Sequence, residues 1–330
     1  MKDALAVTGA VLVVLAAGGC SVQASPVSHM ERWHKRPSPV SAFSARRAAV
    51  SARSAAASAR PVAVAGVAGE YRAGWRELTF REPSAGGART LVTEIRYPAG
   101  SAASGPFPLL MFAPGFQQCG TPYADLLRTW ASAGYVVATV DFPRTDCRVG
   151  AAADEADLIR QPADMSYVIG KLLALSAGHG DPLTGMLDPH QIAAAGQSDG
   201  GDTVAALAAS SCCADHRLDA AAVLSGAEWP PMPGRYFTGR TPPMLFTQGS
   251  ADPVNPPWTS VQLYTSDRSG TRYYLDLPGA GHTAPYWGDG PAERLVARET
   301  LAFFDHYVLG QPAGLPAVAG LVSGGRLPPG

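Results

Sequence analysis

Short apolar runs and amphipathic stretches take turns from about residue 75 to residue 308, with the periods of strands and helices. Segments 75–80 and 91–97 alternate polar and apolar residues across a turn at Gly86-Gly87, which predicts two paired strands. Segment 109–113 (Leu-Leu-Met-Phe-Ala) is apolar throughout and too short for a helix, which predicts a strand buried on both faces. A helix is predicted over 123–133, with Gly134 as its C-cap, and a further buried strand over 135–140. Over 162–175, Met165, Ile169, Leu172 and Leu173 share one helical face, and Pro162 suits the first turn. Strands follow at 192–195, 220–224, 244–247 and 273–277, with helices at 203–209 and 292–308. A hairpin followed by strand-helix repeats predicts an α/β domain whose mostly parallel central sheet carries helices on both faces.

The two ends depart from this pattern. Behind Lys2, residues 4–17 are apolar over a length that suits an export signal better than a membrane span. Ala16-Ala17-Gly18-Gly19-Cys20 resembles a lipobox, so residues 1–20 read as an export signal that leaves a lipidated Cys20 as membrane anchor. The other reading is a plain secretory signal in which Cys20 is incidental. Residues 21–66 are Ala, Ser, Pro and Arg without apolar period, a disordered basic tether. Residues 311–330 read as a flexible Gly/Pro-rich tail, which leaves 67–310 for the catalytic domain. Export permits disulfides, and Cys119 and Cys147 fall in loops beyond adjacent strands and are the preferred pair. Cys212 and Cys213, adjacent in sequence, are either a vicinal disulfide or two buried thiols. With 26 basic and 27 acidic residues the chain is nearly neutral, which gives no case for nucleic acid as a partner.

The chemistry centres on Gly196-Gln197-Ser198-Asp199-Gly200-Gly201, between a predicted strand and a predicted helix. In that setting Gly-x-Ser-x-Gly makes a turn tight enough to need its glycines and lifts the serine hydroxyl above the sheet edge. Asp252 and His282 each follow a later predicted strand, so Ser198, Asp252 and His282 would meet at one edge as nucleophile, orienting acid and general base. Glu228 and His306 are the weaker acid and base candidates. Two backbone N–H groups would receive the oxyanion, that of Asp199 and that of Phe116 in the turn Pro114-Gly115-Phe116-Gln117. The Asp199 carboxyl should turn away from the reaction and pair with a base or a backbone donor, Arg144 being one candidate. Gln117, Tyr286 and Trp287 are placed to line the substrate site. No metal and no organic cofactor is implied.

These residues, with Glu94-Ile95-Arg96-Tyr97-Pro98, the run from Pro108 to Phe116, Gly134-Tyr135-Val136-Val137 and Arg160-Gln161-Pro162-Ala163-Asp164, resemble the α/β-hydrolase superfamily across about residues 70–310. The nearest likeness is to the esterase group of platelet-activating-factor acetylhydrolase isoform II, chlorophyllase-like proteins and polyester hydrolases. Gln197 and Asp199 stand where such relatives often have His or Trp, and Met or Phe. The resemblance implies an α/β-hydrolase fold and a serine esterase for a small-molecule or polymeric ester, with Trp229 beside the site. Segment 226–242 has no room for a large lid domain. The competing readings are a serine peptidase of the same superfamily and an envelope lipoprotein that binds without catalysing.

Overall fold

The computed structural model describes residues 69, 71–83, 87–100, 105–268, 271–311 and 321–323. The export signal, Cys20 and the basic tether lie outside the described residues. Strands β1 (Arg72–Glu82) and β2 (Arg89–Ala99) form an antiparallel hairpin. In β2, Leu91, Thr93 and Ile95 are buried while the residues between them are partly exposed, the two-residue period of a half-covered strand.

The strands that follow are buried more completely. Strands β3 (Phe107–Ala113), β4 (Val136–Asp141), β5 (Leu187–Gln197), β6 (Ala220–Leu224), β7 (Met244–Gly249) and β8 (Arg272–Leu277) run parallel to one another. With a last strand β9 (Leu321–Ser323), the sheet order is β1-β2-β4-β3-β5-β6-β7-β8-β9. Among the described residues, α-helices α1 (Ala124–Ser132), α2 (Gln161–Ala177), α3 (Asp199–Ala209), α4 (Trp258–Ser266) and α5 (Pro291–Tyr307) connect and cover it.

The alternation within each strand builds two cores. Leu109, Met111 and Ala113 of β3 face one side, with Val168 and Ile169 of α2, Val204 and Leu207 of α3 and Leu263 of α4. Leu110 and Phe112 face the other, with Leu126 and Trp130 of α1 and Val296, Leu301 and Phe304 of α5. A sheet with apolar side chains on both faces needs helices on both, and it has them. This is the α/β-hydrolase architecture.

Four elements differ most from the sequence expectation, one being helix α4 (Trp258–Ser266), for which no element was predicted. A short 3-10 turn, Thr121–Tyr123, precedes α1, so the predicted helix starts later. Helix α3 begins at Asp199 instead of Thr203, because Asp199, Gly200, Gly201 and Asp202 show no apolar period yet supply two acids to the first turn. Residues Leu321–Ser323, expected within a flexible tail, form β9 and pair antiparallel with β8. Three residues among glycines and prolines carry almost no periodic signal, and an open strand edge is what recruits them. Among the described residues no helix is long and apolar enough to cross a membrane.

Candidate active site

Ser198 alone forms the turn between β5 and α3, with φ 57 and ψ −126. A side-chain-bearing residue is rarely found there, and the surroundings hold it. Its amide donates to Leu224 C=O at 3.0 Å, and its carbonyl accepts from Asp202 N–H at 3.0 Å. The flanking glycines are required by close approach. A Cβ at Gly196 would overlap the carbonyl of Gly200, and one at Gly200 would overlap the carbonyl of Ala113.

His282 and Asp252 arrive on loops from β8 and β7, and those loops are stitched together. Gly279 N–H donates to Ser250 Oγ at 2.8 Å, and Ala251 N–H to Ala280 C=O at 3.0 Å. His282 Nε2 then lies 2.9 Å from Ser198 Oγ, and His282 Nδ1 lies 2.7 Å from Asp252 Oδ2. The Asp252 carboxylate is buried, and its other oxygen accepts from the amides of Val254 (2.8 Å) and Asn255 (3.0 Å). Burial works to raise its pKa, but the bond and charge of His282 and those two amides outweigh it and hold the carboxyl below its ordinary value. An anionic Asp252 accepting from Nδ1–H leaves Nε2 as the acceptor for the Ser198 hydroxyl.

The amides on either side of Phe116 are already committed. Gly115 N–H donates to Tyr123 Oη at 3.1 Å, and Gln117 N–H donates to Thr145 C=O at 2.8 Å. Phe116 N–H lies between them. The Asp199 amide is in the first turn of α3, where no helical carbonyl can reach it. A disulfide between Cys119 and Cys147, with Cα atoms 5.3 Å apart, ties the segment after β3 to the loop after β4.

The Asp199 side chain finds neither of the partners expected for it. Arg144 pairs with Asp154 at 2.9 Å instead, out at the surface. Asp199 Oδ2 is buried without a hydrogen-bond partner. Burial, then the charge of Glu155, pushes its pKa up to about 8, so it is a neutral acid at pH 7. Asp202 is likewise raised, by burial first and by Asp199 next, although its Oδ1 accepts from Ala227 N–H at 2.6 Å.

Of the residues expected to line the site, Tyr286 does not. It is fully buried, and its hydroxyl lies 2.8 Å from Ser225 Oγ and 3.0 Å from Thr247 Oγ1, so it belongs to the core under the acid loop. Its sequence position next to Trp287 gave no sign of this, because the two side chains diverge. Trp287 is half-buried, with its ring edge-on to Tyr123 at 6.0 Å. Trp229 is half-buried against Leu158, Ala206 and Met232. Gln117 is exposed, and its side-chain amide donates to Gly150 C=O at 2.6 Å. Glu228 bonds Gln262, and His306 lies at the far end of α5 with Nδ1 3.0 Å from Gln311 C=O, so neither approaches Ser198. Cys212 and Cys213 are bonded to each other and partly exposed beyond α3, where buried thiols were the alternative.

Three supporting residues escaped the sequence reading. Gln248 donates to Asp252 Oδ2 at 3.1 Å and to Asn255 C=O at 2.9 Å, while Asn255 Nδ2 donates to Ser225 C=O at 2.6 Å. Tyr123 joins Gly115 to Gln197. Gln248 ends a strand and Tyr123 starts a helix, and no spacing rule links either one to a site built from other loops. The segment between β6 and β7 contains no helix. It folds against the end of α3 through a bridge between Ser210 and Tyr236, with Ser211 N–H donating to Arg235 C=O at 3.0 Å. Among the described residues no three His, Cys, Asp or Glu side chains converge as a metal site.

A family model described as PET hydrolase-like matches residues 63–310, which takes in the whole sheet from β1 to β8 and every loop of the site. No curated protein matches the chain. The chain belongs to the PET hydrolase-like family, α/β-hydrolases that act on esters.

Proposed function

We propose that the chain is an exported serine esterase that cleaves carboxylic esters through an acyl-enzyme. Ser198 Oγ attacks the ester carbonyl as its proton passes to His282 Nε2, and the carbonyl oxygen becomes an oxyanion facing the amides of Phe116 and Asp199. Collapse breaks the C–O bond, and the imidazolium gives its proton to the departing alcohol. Water then attacks the acyl-enzyme with His282 again as base, releasing the acid and restoring the Ser198 hydroxyl. Asp252 remains an anion throughout and stabilises the imidazolium.

The observation that carries this reading is the continuous relay from Ser198 Oγ to His282 at 2.9 Å and from His282 to Asp252 at 2.7 Å. Family membership supports an ester as the substrate. The lid-free segment between β6 and β7 supports an open site that admits small esters and the exposed ester groups of a polymer. Export and a lipidated Cys20 rest on the sequence signal alone.

The test is hydrolysis of p-nitrophenyl esters from acetate to laurate. Ser198→Ala should lower kcat by roughly 10⁴–10⁶-fold, and Asp252→Asn by about 10⁴-fold through loss of the correct tautomer. Turnover that survives Ser198→Ala would refute the mechanism.

A further inference from the structure

Beneath the relay lies a second, buried chain of hydrogen bonds that the ester mechanism does not use. Gly115 N–H donates to Tyr123 Oη at 3.1 Å, and Tyr123 Oη donates to Gln197 Oε1 at 2.7 Å. Gln197 Nε2 donates to His282 C=O at 3.2 Å and lies 3.3 Å from His282 Nε2. The direction of this chain is fixed by its ends. A backbone N–H can only donate, so Tyr123 accepts from Gly115 and spends its own proton on Gln197. That requires the amide oxygen of Gln197 to face Tyr123 and its nitrogen to face His282, whose carbonyl can only accept.

The chain is rigid as well as directed. Tyr123 is fully buried and wedged edge-on against Phe112 (4.8 Å between centroids) and Trp287 (6.0 Å). Burial pushes its hydroxyl up to about 12, so it stays a protonated donor across the working range. Gln197 is 1% exposed, and a Cβ placed on Gly115 would come within 3.0 Å of its Oε1. A small side chain at 115 would therefore push the chain apart.

We propose that Tyr123 and Gln197 are positioning residues that lock the oxyanion turn and the histidine loop to each other across the nucleophile. The proposal rests on the serine-esterase reading. One end of the chain holds Gly115, and so the direction of the next amide, Phe116. The other end holds the backbone of His282, and so the height of its ring above Ser198. The donor and the base must be in place in the same instant, and a chain that joins them makes their positions one variable instead of two.

The experiment is steady-state kinetics on a short-chain p-nitrophenyl ester with Tyr123→Phe, Gln197→Met, Gln197→Glu and the double variant Tyr123→Phe/Gln197→Met, all in the full chain. Each single variant should lower kcat by about 10–100-fold, with KM changed by less than about threefold, because the loss is in alignment and not in substrate contact. Gln197→Glu keeps size and polarity and still accepts from Tyr123, but it cannot donate to His282 C=O, so it should be no better than Gln197→Met. The double variant should be no slower than the slower single variant, since both cut the same chain. Losses that multiply in the double variant, or a Tyr123→Phe with wild-type kcat, would overturn the coupling while leaving the esterase reading intact. Failure of wild-type protein both to turn over esters and to react at Ser198 with a fluorophosphonate would overturn both. Tyr123→Phe removes one oxygen from a packed ring, so its melting temperature serves as the folding control for the set.

Discussion

Asp199 places a carboxyl on the same residue whose amide is proposed to receive the oxyanion. The arrangement is tolerable because burial keeps that carboxyl neutral up to about pH 8. Above that, a carboxylate forms beside a developing negative charge, with Glu155 and Asp202 already near and Tyr123 neutral. Ester turnover should therefore fall on the alkaline side with a midpoint near 8, and Asp199→Asn should hold its rate to higher pH, as a kcat/KM profile from pH 6 to pH 10 would show. Stability should move with it. The folded-state pKa lies above the ordinary carboxyl value of about 4, so the native protein holds an extra proton between those two limits and loses stability as pH rises through that window. Asp199→Asn removes this loss. A gain of even about 2 kcal/mol at pH 9 would raise the melting temperature by roughly 4–8 °C, with little change at pH 4. A pH-independent effect on stability would show that the folded-state pKa of Asp199 is unshifted, and a pH-independent effect on rate would show that its ionisation does not act on the oxyanion. Asp252 has the opposite sign: its lowered pKa gives stability that is present above the ordinary carboxyl range and is lost as pH falls through its folded value.

At the scale of elements, the site is a set of loop ends held in register by a few cross-links. The Cys119–Cys147 disulfide closes a sequence separation of 28 residues. Closing a loop of that length restricts the unfolded chain by about 3–4 kcal/mol. It also pins the turn whose Gln117 amide bonds Thr145. Cys119→Ala/Cys147→Ala should lower the melting temperature by roughly 6–15 °C. It should also depress kcat more than KM, because the Phe116 amide loses its anchor. Equal stability in the double variant, measured by thermal unfolding, would mean that the turn is held by its hydrogen bonds alone. The strands that bear these loops were legible because β3 and β6 are uninterrupted apolar runs bounded by turn residues, and the serine turn was legible because glycines flank it. Tyr286 was not, since a tyrosine that caps the core and one that lines a cleft look alike until Ser225 and Thr247 are seen at its hydroxyl. The Tyr123–Gln197 chain was not legible either. It joins positions 74 residues apart through side-chain atoms, and no strand or helix period encodes such a contact.

The molecule as a whole joins the α/β-hydrolase domain to an N-terminal stretch for which we propose an export and anchoring role. The attachment reading rests on Cys20 and on the tether behind it. A single acyl chain would hold a protein at a membrane only weakly, whereas the lipid a lipobox cysteine receives carries two chains, and an electrostatic signal adds to either. Arg32, Lys35, Arg36, Arg46, Arg47, Arg53 and Arg60 would provide such a signal for an anionic surface, the other reading of the stretch being a solvated spacer with no partner. The two contributions separate experimentally. Cys20→Ser should move ester-hydrolysing activity from the membrane fraction to the soluble one while kcat stays unchanged, because the substitution is remote in sequence from every residue of the relay. Neutralising the tether's basic residues with Cys20 intact should remove the salt-dependent part of membrane binding, so that high salt washes off no more of the variant than low salt does. Activity that remains with the membranes in Cys20→Ser would remove lipidation from the reading and leave the basic tether, or the catalytic domain itself, as the part that holds the surface.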